Sequence, residues 1–175
     1  MKSLAIFLCL AVTPATAESL CGVTDTGAVL NAIDGAWVAE GAISIETETL
    51  SVTEPFELAA IVTQDATLSA GLLSNGYPIP LEDLGAVYDV DQVDDMLDTV
   101  EAVWIADAVS ETLCGPEGLL QLSGVISGAE GHIGTVTLLP YFSDRIVVIT
   151  EYELKGDWGI GFVTSAGLLV RYQGQ

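Results

Sequence analysis

From Trp37 to Glu46 the chain alternates strictly, with Trp37, Ala39, Ile43 and Ile45 on one side and Glu40, Ser44 and Glu46 on the other. A period of two, with apolar groups on one face and charge on the other, marks a strand that buries one side and wets the other. The same signal returns along the chain. Strands are expected at 57–63 and 67–72 around a Gln64-Asp65 turn, then at 119–126, 132–139, 145–154, 158–164 and 168–172. Their separators carry turn chemistry: Ser127-Gly128-Ala129-Glu130-Gly131, the stretch 140–144, Gly156-Asp157 and Ser165-Ala166-Gly167. Sequential strands joined by short hairpins favour an antiparallel meander, and eight of them can close to remove exposed edges.

One segment breaks the strand pattern. Over 91–113 the apolar residues Val93, Met96, Leu97, Val100, Val103, Trp104 and Val109 recur at three- and four-residue spacing, the mark of an amphipathic helix. Asp91 can cap its start, Asp94 and Asp95 suit the positive end of its dipole, and Gly115-Pro116 stops it. Pro78-Ile79-Pro80 reads as an ordered loop leading to it. The segment 145–154 is apolar on both faces at Val147, Val148 and Ile149 and needs a cover, which this helix can supply. The expected fold is mainly β: an antiparallel eight-stranded meander barrel, or a strongly curved sheet, with one long amphipathic helix packed against it.

Residues 1–17 have the organisation of a secretory signal. Lys2 supplies the charge, 4–12 the apolar run, and Ala15-Thr16-Ala17 the small-residue cleavage site. The run is too short to span a membrane. The expectation is an exported protein, periplasmic or extracellular, whose single domain occupies 18–175. Cys9 would leave with the signal. Cys21 and Cys114 would remain, an even pair in an oxidising compartment, and are expected to form a disulfide. A lipid anchor on Cys21 is the competing reading, but it wants a small preceding residue, where this chain has Leu20.

The chain holds 25 acidic residues against 4 Lys and Arg, and Lys2 is one of the four. A field of that sign repels phosphate backbones and anionic headgroups, which excludes nucleic-acid binding. An acidic globular surface is the plain reading; a docking surface for a basic protein partner or for divalent cations is the sharper one.

Motifs for chemistry are absent. Asp89, Asp91, Asp94, Asp95 and Asp98 invite calcium, but a loop starting at Asp89 would want an oxygen ligand at Val93, glycine at Asp94 and glutamate at Val100. An acid-rich helix start explains the cluster without metal. His132 is the one histidine, so no zinc site can be built on two, and no Gly-x-Ser-x-Gly elbow exists for it to serve as base. Glu151 and Glu153 share a strand face, and paired carboxylates can hydrolyse glycosides, yet in so acidic a chain such a pair arises by chance. Gly159-Ile160-Gly161 lies inside a strand pattern rather than between strand and helix, which suits close packing better than phosphate binding. No catalytic residue, metal or cofactor is assigned.

Three scattered features then acquire a pattern. Gly35-Ala36-Trp37 opens the first strand, Thr150-Glu151-Tyr152 comes late, and Arg171 ends the last strand. This resembles the lipocalins, with their Gly-x-Trp, Thr-Asp-Tyr and late arginine. The resemblance implies an eight-stranded barrel whose narrow end is closed by Trp37 with Arg171 packed over it, and it puts Thr150-Glu151-Tyr152 in a neighbouring connection. Glu151 departs from the aspartate of the pattern. The function then expected is an exported barrel that binds a small apolar ligand among inward residues such as Ile43, Ile61, Val136 and Val148. The alternatives are a cell-envelope interaction or inhibitor module working through its acidic surface and, third, a carboxylate-based hydrolase.

Overall fold

The structure, a computed structural model, describes residues 17–47, 51–71, 77–84, 118–127, 133–156 and 159–173. One helix, α1 (Thr26–Ile33), precedes nine strands: β1 (Gly35–Thr47), β2 (Ser51–Thr63), β3 (Thr67–Ala70), β4 (Ile79–Pro80), β5 (Glu82–Asp83), β6 (Leu122–Ser127), β7 (Ile133–Phe142), β8 (Arg145–Gly156) and β9 (Gly159–Arg171). They form one antiparallel sheet in the order β4-β3-β2-β1-β9-β8-β7-β6-β5. The two end strands of that order are successive in the chain, with only Leu81 between them. Residues 79–83 therefore pair with β3 on one side and β6 on the other, and the sheet is nearly closed into a barrel. At the seam the Leu81 N–H leaves the ladder and donates to the Ala66 carbonyl at 2.8 Å.

Alternation sets which residues fill the barrel. Trp37 and Ala39 of β1, Leu58, Ala60 and Val62 of β2, Leu122 and Ile126 of β6, and Ile146 and Val148 of β8 join one buried cluster, with Leu169 of β9 and Val29, Leu30 and Ile33 of α1. Between them Val38, Ala59 and Val125 face outward with the exposed Glu57, Thr135 and Glu151. No helix of the described residues is long and apolar enough to cross a membrane.

From Ile146 to Thr150, strand β8 is buried on both faces. Val147 and Ile149 are as buried as Ile146 and Val148 but point away from the barrel cluster, so the doubly apolar segment is covered on its outer side, as its sequence requires. The helix expected at 91–113 lies outside the described residues, as do residues 1–16.

Three expectations need correction, and one element goes beyond them. Ser165-Ala166-Gly167 is no turn but the middle of β9, a single strand where two were expected. Gly167 sits between Gly41 and Val148, and Ala166 beside Ile149, so these small residues serve close packing. Pro140 does not open a turn either: β7 runs through it to Phe142 with a register shift, and the chain reverses at Ser143-Asp144. Ile79-Pro80, expected as loop, is β4, tolerated because a strand of two residues asks little of proline's missing N–H. Finally, α1 went unread because a helix of eight residues is too short for periodicity to stand out. Its start is nonetheless marked, since Asp25 caps it by accepting from the Ala28 N–H at 2.9 Å.

The N-terminal approach is pinned to β7. The Ser143 N–H donates to the Glu18 carbonyl at 2.8 Å and the Leu20 N–H to the Tyr141 carbonyl at 3.1 Å. Cys21 follows directly and is disulfide-bonded; Cys114 lies outside the described residues.

Candidate functional site

One end of the barrel is stoppered. Helix α1 brings Val29, Leu30 and Ile33 into the cluster, and the Trp37 indole N–H donates to the Ile33 carbonyl at 3.0 Å. Over that indole lies the Arg171 guanidinium, 4.7 Å from the ring centroid. Its nitrogens donate to the Asp34 carbonyl at 2.7 Å, the Ala32 carbonyl at 2.6 Å and the Ser143 carbonyl at 2.8 and 3.1 Å. The negative end of the α1 dipole and the β7–β8 turn thus share one cation. Gly35 makes the room. Its φ is +140°, and a Cβ there would come within 2.9 Å of Arg171 Nη1.

Away from that stopper the barrel wall turns polar. Thr150 of β8 and Ser165 of β9 face each other across the ladder, buried, with their hydroxyl oxygens 2.5 Å apart. They are the buried polar side chains of the described residues. Thr150 follows Ile146 and Val148 on the inward face, and its other neighbour is the inward Val136. Next along β8 on that face comes Tyr152, packed against the cluster and paired with Gly134. A Cβ at Gly134 would meet the Tyr152 ring at 2.8 Å, so only glycine lets the ring lie across β7. Burial pushes the Tyr152 hydroxyl up to about 12, keeping it neutral and able to donate.

The residues expected as ligand lining divide. Val136 and Val148 are inward and fully buried, part of the packed interior. Ile61 is not inward: it is 52% exposed on the outer face, because Ala60 and Val62 hold the inward positions of β2 and a neighbouring residue must point the other way. Ile43 pairs in register with Ser165 and Glu54, while its side chain lies outside the described residues. Thr150-Glu151-Tyr152 lies within β8 and not in a connection, because its alternation puts Thr150 and Tyr152 inside with Glu151 exposed between them. Gly159-Ile160-Gly161 begins β9 as a strand. His132 and the acidic run 89–98 are outside the described residues.

Thr150 and Ser165 had no prominence in the sequence. The available signal was a hydroxyl residue two positions after Val148 on an apolar face; Ser165 was hidden by its apparent place in a turn. Ile61, in turn, lines a groove of about 450 Å3 on the outer wall with Val38, Ala59 and Tyr172. No protein-family model matches this chain, and no curated protein does either.

Proposed function

We propose that this protein is an exported, acidic, non-enzymatic β-barrel of lipocalin-like design that holds a small apolar molecule in the end of the barrel away from Trp37. The observation that carries this reading is the asymmetry of the interior. The Trp37 end is filled by α1 and locked by Arg171, whereas the inward hydroxyls, Thr150, Ser165 and Tyr152, all belong to the other side. A barrel with one sealed end and polar groups towards the other gives a ligand a direction. Export after Ala17, a Cys21–Cys114 disulfide and a helix at 91–113 lying over Val147 and Ile149 belong to the same proposal.

Solvent extraction of natively purified protein followed by mass spectrometry tests it. One small apolar compound in near-stoichiometric amount is expected. An empty extract together with no saturable binding of the neutral probe N-phenyl-1-naphthylamine overturns the reading.

A second reading has its own observation. The outer groove exposes Val38, Ile61 and Tyr172 together on the wall of a very acidic chain, a surface suited to a partner that combines apolar and basic groups. Partner binding that collapses with added salt, and with Ile61→Asp, would favour it.

A further inference from the structure

Each hydroxyl of the Thr150–Ser165 pair carries one hydrogen, and the bond between them uses one of the two. Neither hydroxyl makes another hydrogen bond among the described residues. One O–H is therefore left unspent on an inward face bounded by Val136 and Val148. A buried donor without an acceptor is costly, and turning the pair round does not remove it, because whichever residue donates within the pair, the other still has a hydrogen to give.

The charges nearby decide what kind of acceptor fits. Arg171 is committed to three carbonyls at the sealed end, and Arg145 is exposed beside Asp144 at 3.6 Å. Following the ladder from Thr150 through Ser165 and Ile43, the next register position is Glu54, which is exposed. A carboxylate ligand would bring its charge towards an acid in a chain of net charge −21. We infer that the ligand is a neutral apolar molecule bearing a carbonyl-type acceptor, and that the Thr150–Ser165 pair donates to it. This rests on the barrel-end reading proposed above. It adds the chemical class of the ligand and the group that recognises it.

Calorimetric titration with 2-decanone, decane and decanoate tests the inference. The wild type is expected to bind the ketone about tenfold more tightly than the alkane, the gain of one net hydrogen bond, and the carboxylate weakest. Thr150→Val with Ser165→Ala should abolish the preference for ketone over alkane while keeping alkane affinity and the far-ultraviolet spectrum. Ser165→Ala alone, the milder change, retains a single hydroxyl and should keep most of the preference. Equal wild-type affinity for ketone and alkane would show that water meets the donor and would overturn the inference with the ligand cup intact. Decanoate binding most tightly would overturn the neutral class. Failure of all three ligands, together with failure of N-phenyl-1-naphthylamine, would instead remove the barrel-end reading itself.

Discussion

Arg171 lies over Trp37, its guanidinium carbon 4.7 Å from the ring centroid, while the same guanidinium holds the carbonyls of Ala32, Asp34 and Ser143. The two residues are directly paired across β1 and β9, so one contact joins the opening of the first strand to the end of the last. A double-mutant cycle of Trp37→Phe with Arg171→Met should give a coupling of about 0.5–2 kcal/mol by urea denaturation. Arg171→Met alone should cost about 3 kcal/mol, since several carbonyls lose a charged donor. A coupling of zero would mean that the cation serves the carbonyls only.

Gly35 is the position most sensitive to a single methyl group. Gly35→Ala would force alanine to φ +140° and drive its Cβ against Arg171 Nη1, so a loss of about 2–3 kcal/mol is expected. Gly22 also has positive φ, +72°, but a Cβ there meets nothing within 4 Å. Gly22→Ala should thus lose only the backbone part, about 1 kcal/mol. Equal losses at the two sites would show that Arg171 can move aside.

The register of β2 is open to a parity test. Val62 is fully buried and Ile61 is 52% exposed. Val62→Asp should cost several kcal/mol through an unpaired buried charge, whereas Ile61→Asp should change stability by less than about 1 kcal/mol. Thermal melts of the two variants decide it, and the reverse order would place β2 the other way round.

Alkaline pH should weaken the fold through Tyr152. Burial raises its pKa from 10.0 to about 12, so the folded protein keeps a proton that the unfolded chain releases. Between those values the unfolded state binds fewer protons, and stability falls as pH rises; below pH 10 this group contributes no slope. Tyr141 is shifted in the same direction, chiefly by burial. Tyr152→Phe should therefore show a shallower alkaline decline in Tm than the wild type without abolishing it. Identical slopes would mean that Tyr152 is solvated.

For the disulfide, thiol titration of the processed, denatured and non-reduced protein should find almost no free thiol. Closing the Cys21–Cys114 loop contributes at most about 4.6 kcal/mol in the chain-entropy account, so reduction should lower Tm markedly. Two free thiols would exclude the pairing.

The sequence disclosed the strands best where charge and apolar residues take turns, as in Trp37 to Glu46, since alternation is a local property. It misled where small residues had two uses. Ser165-Ala166-Gly167 has the composition of a turn, and only the neighbours Gly41, Ile149 and Val148 reveal that it is a tight place in a wall. Parity misleads at Ile61, since the barrel admits the smaller Ala60 to an inward position and sets the more apolar Ile61 outside. Ile79-Pro80 has the composition of a loop, and its place in β4 is hidden because the pairing of residues 79–83 depends on two distant edges and hardly on their own propensity. The Thr150–Ser165 pair was equally hidden, being a relation between strands rather than a motif along one.

The β1–β9 ladder also fixes the order of events as the chain takes shape. Its partners run from Trp37↔Arg171 to Thr47↔Gly161, so the first strand waits for the last before one of its edges is covered. Contacts so far apart in sequence carry a heavy loop-closure cost and slow the search for the native state. A nascent chain that has reached β8 still offers two bare edges to other chains, and the seam of two pairs on each side of Leu81 is too short to hold the wall shut by itself. Commitment comes only with the thirteen-residue β9, which covers the bare edges of β1 and β8 in a single step.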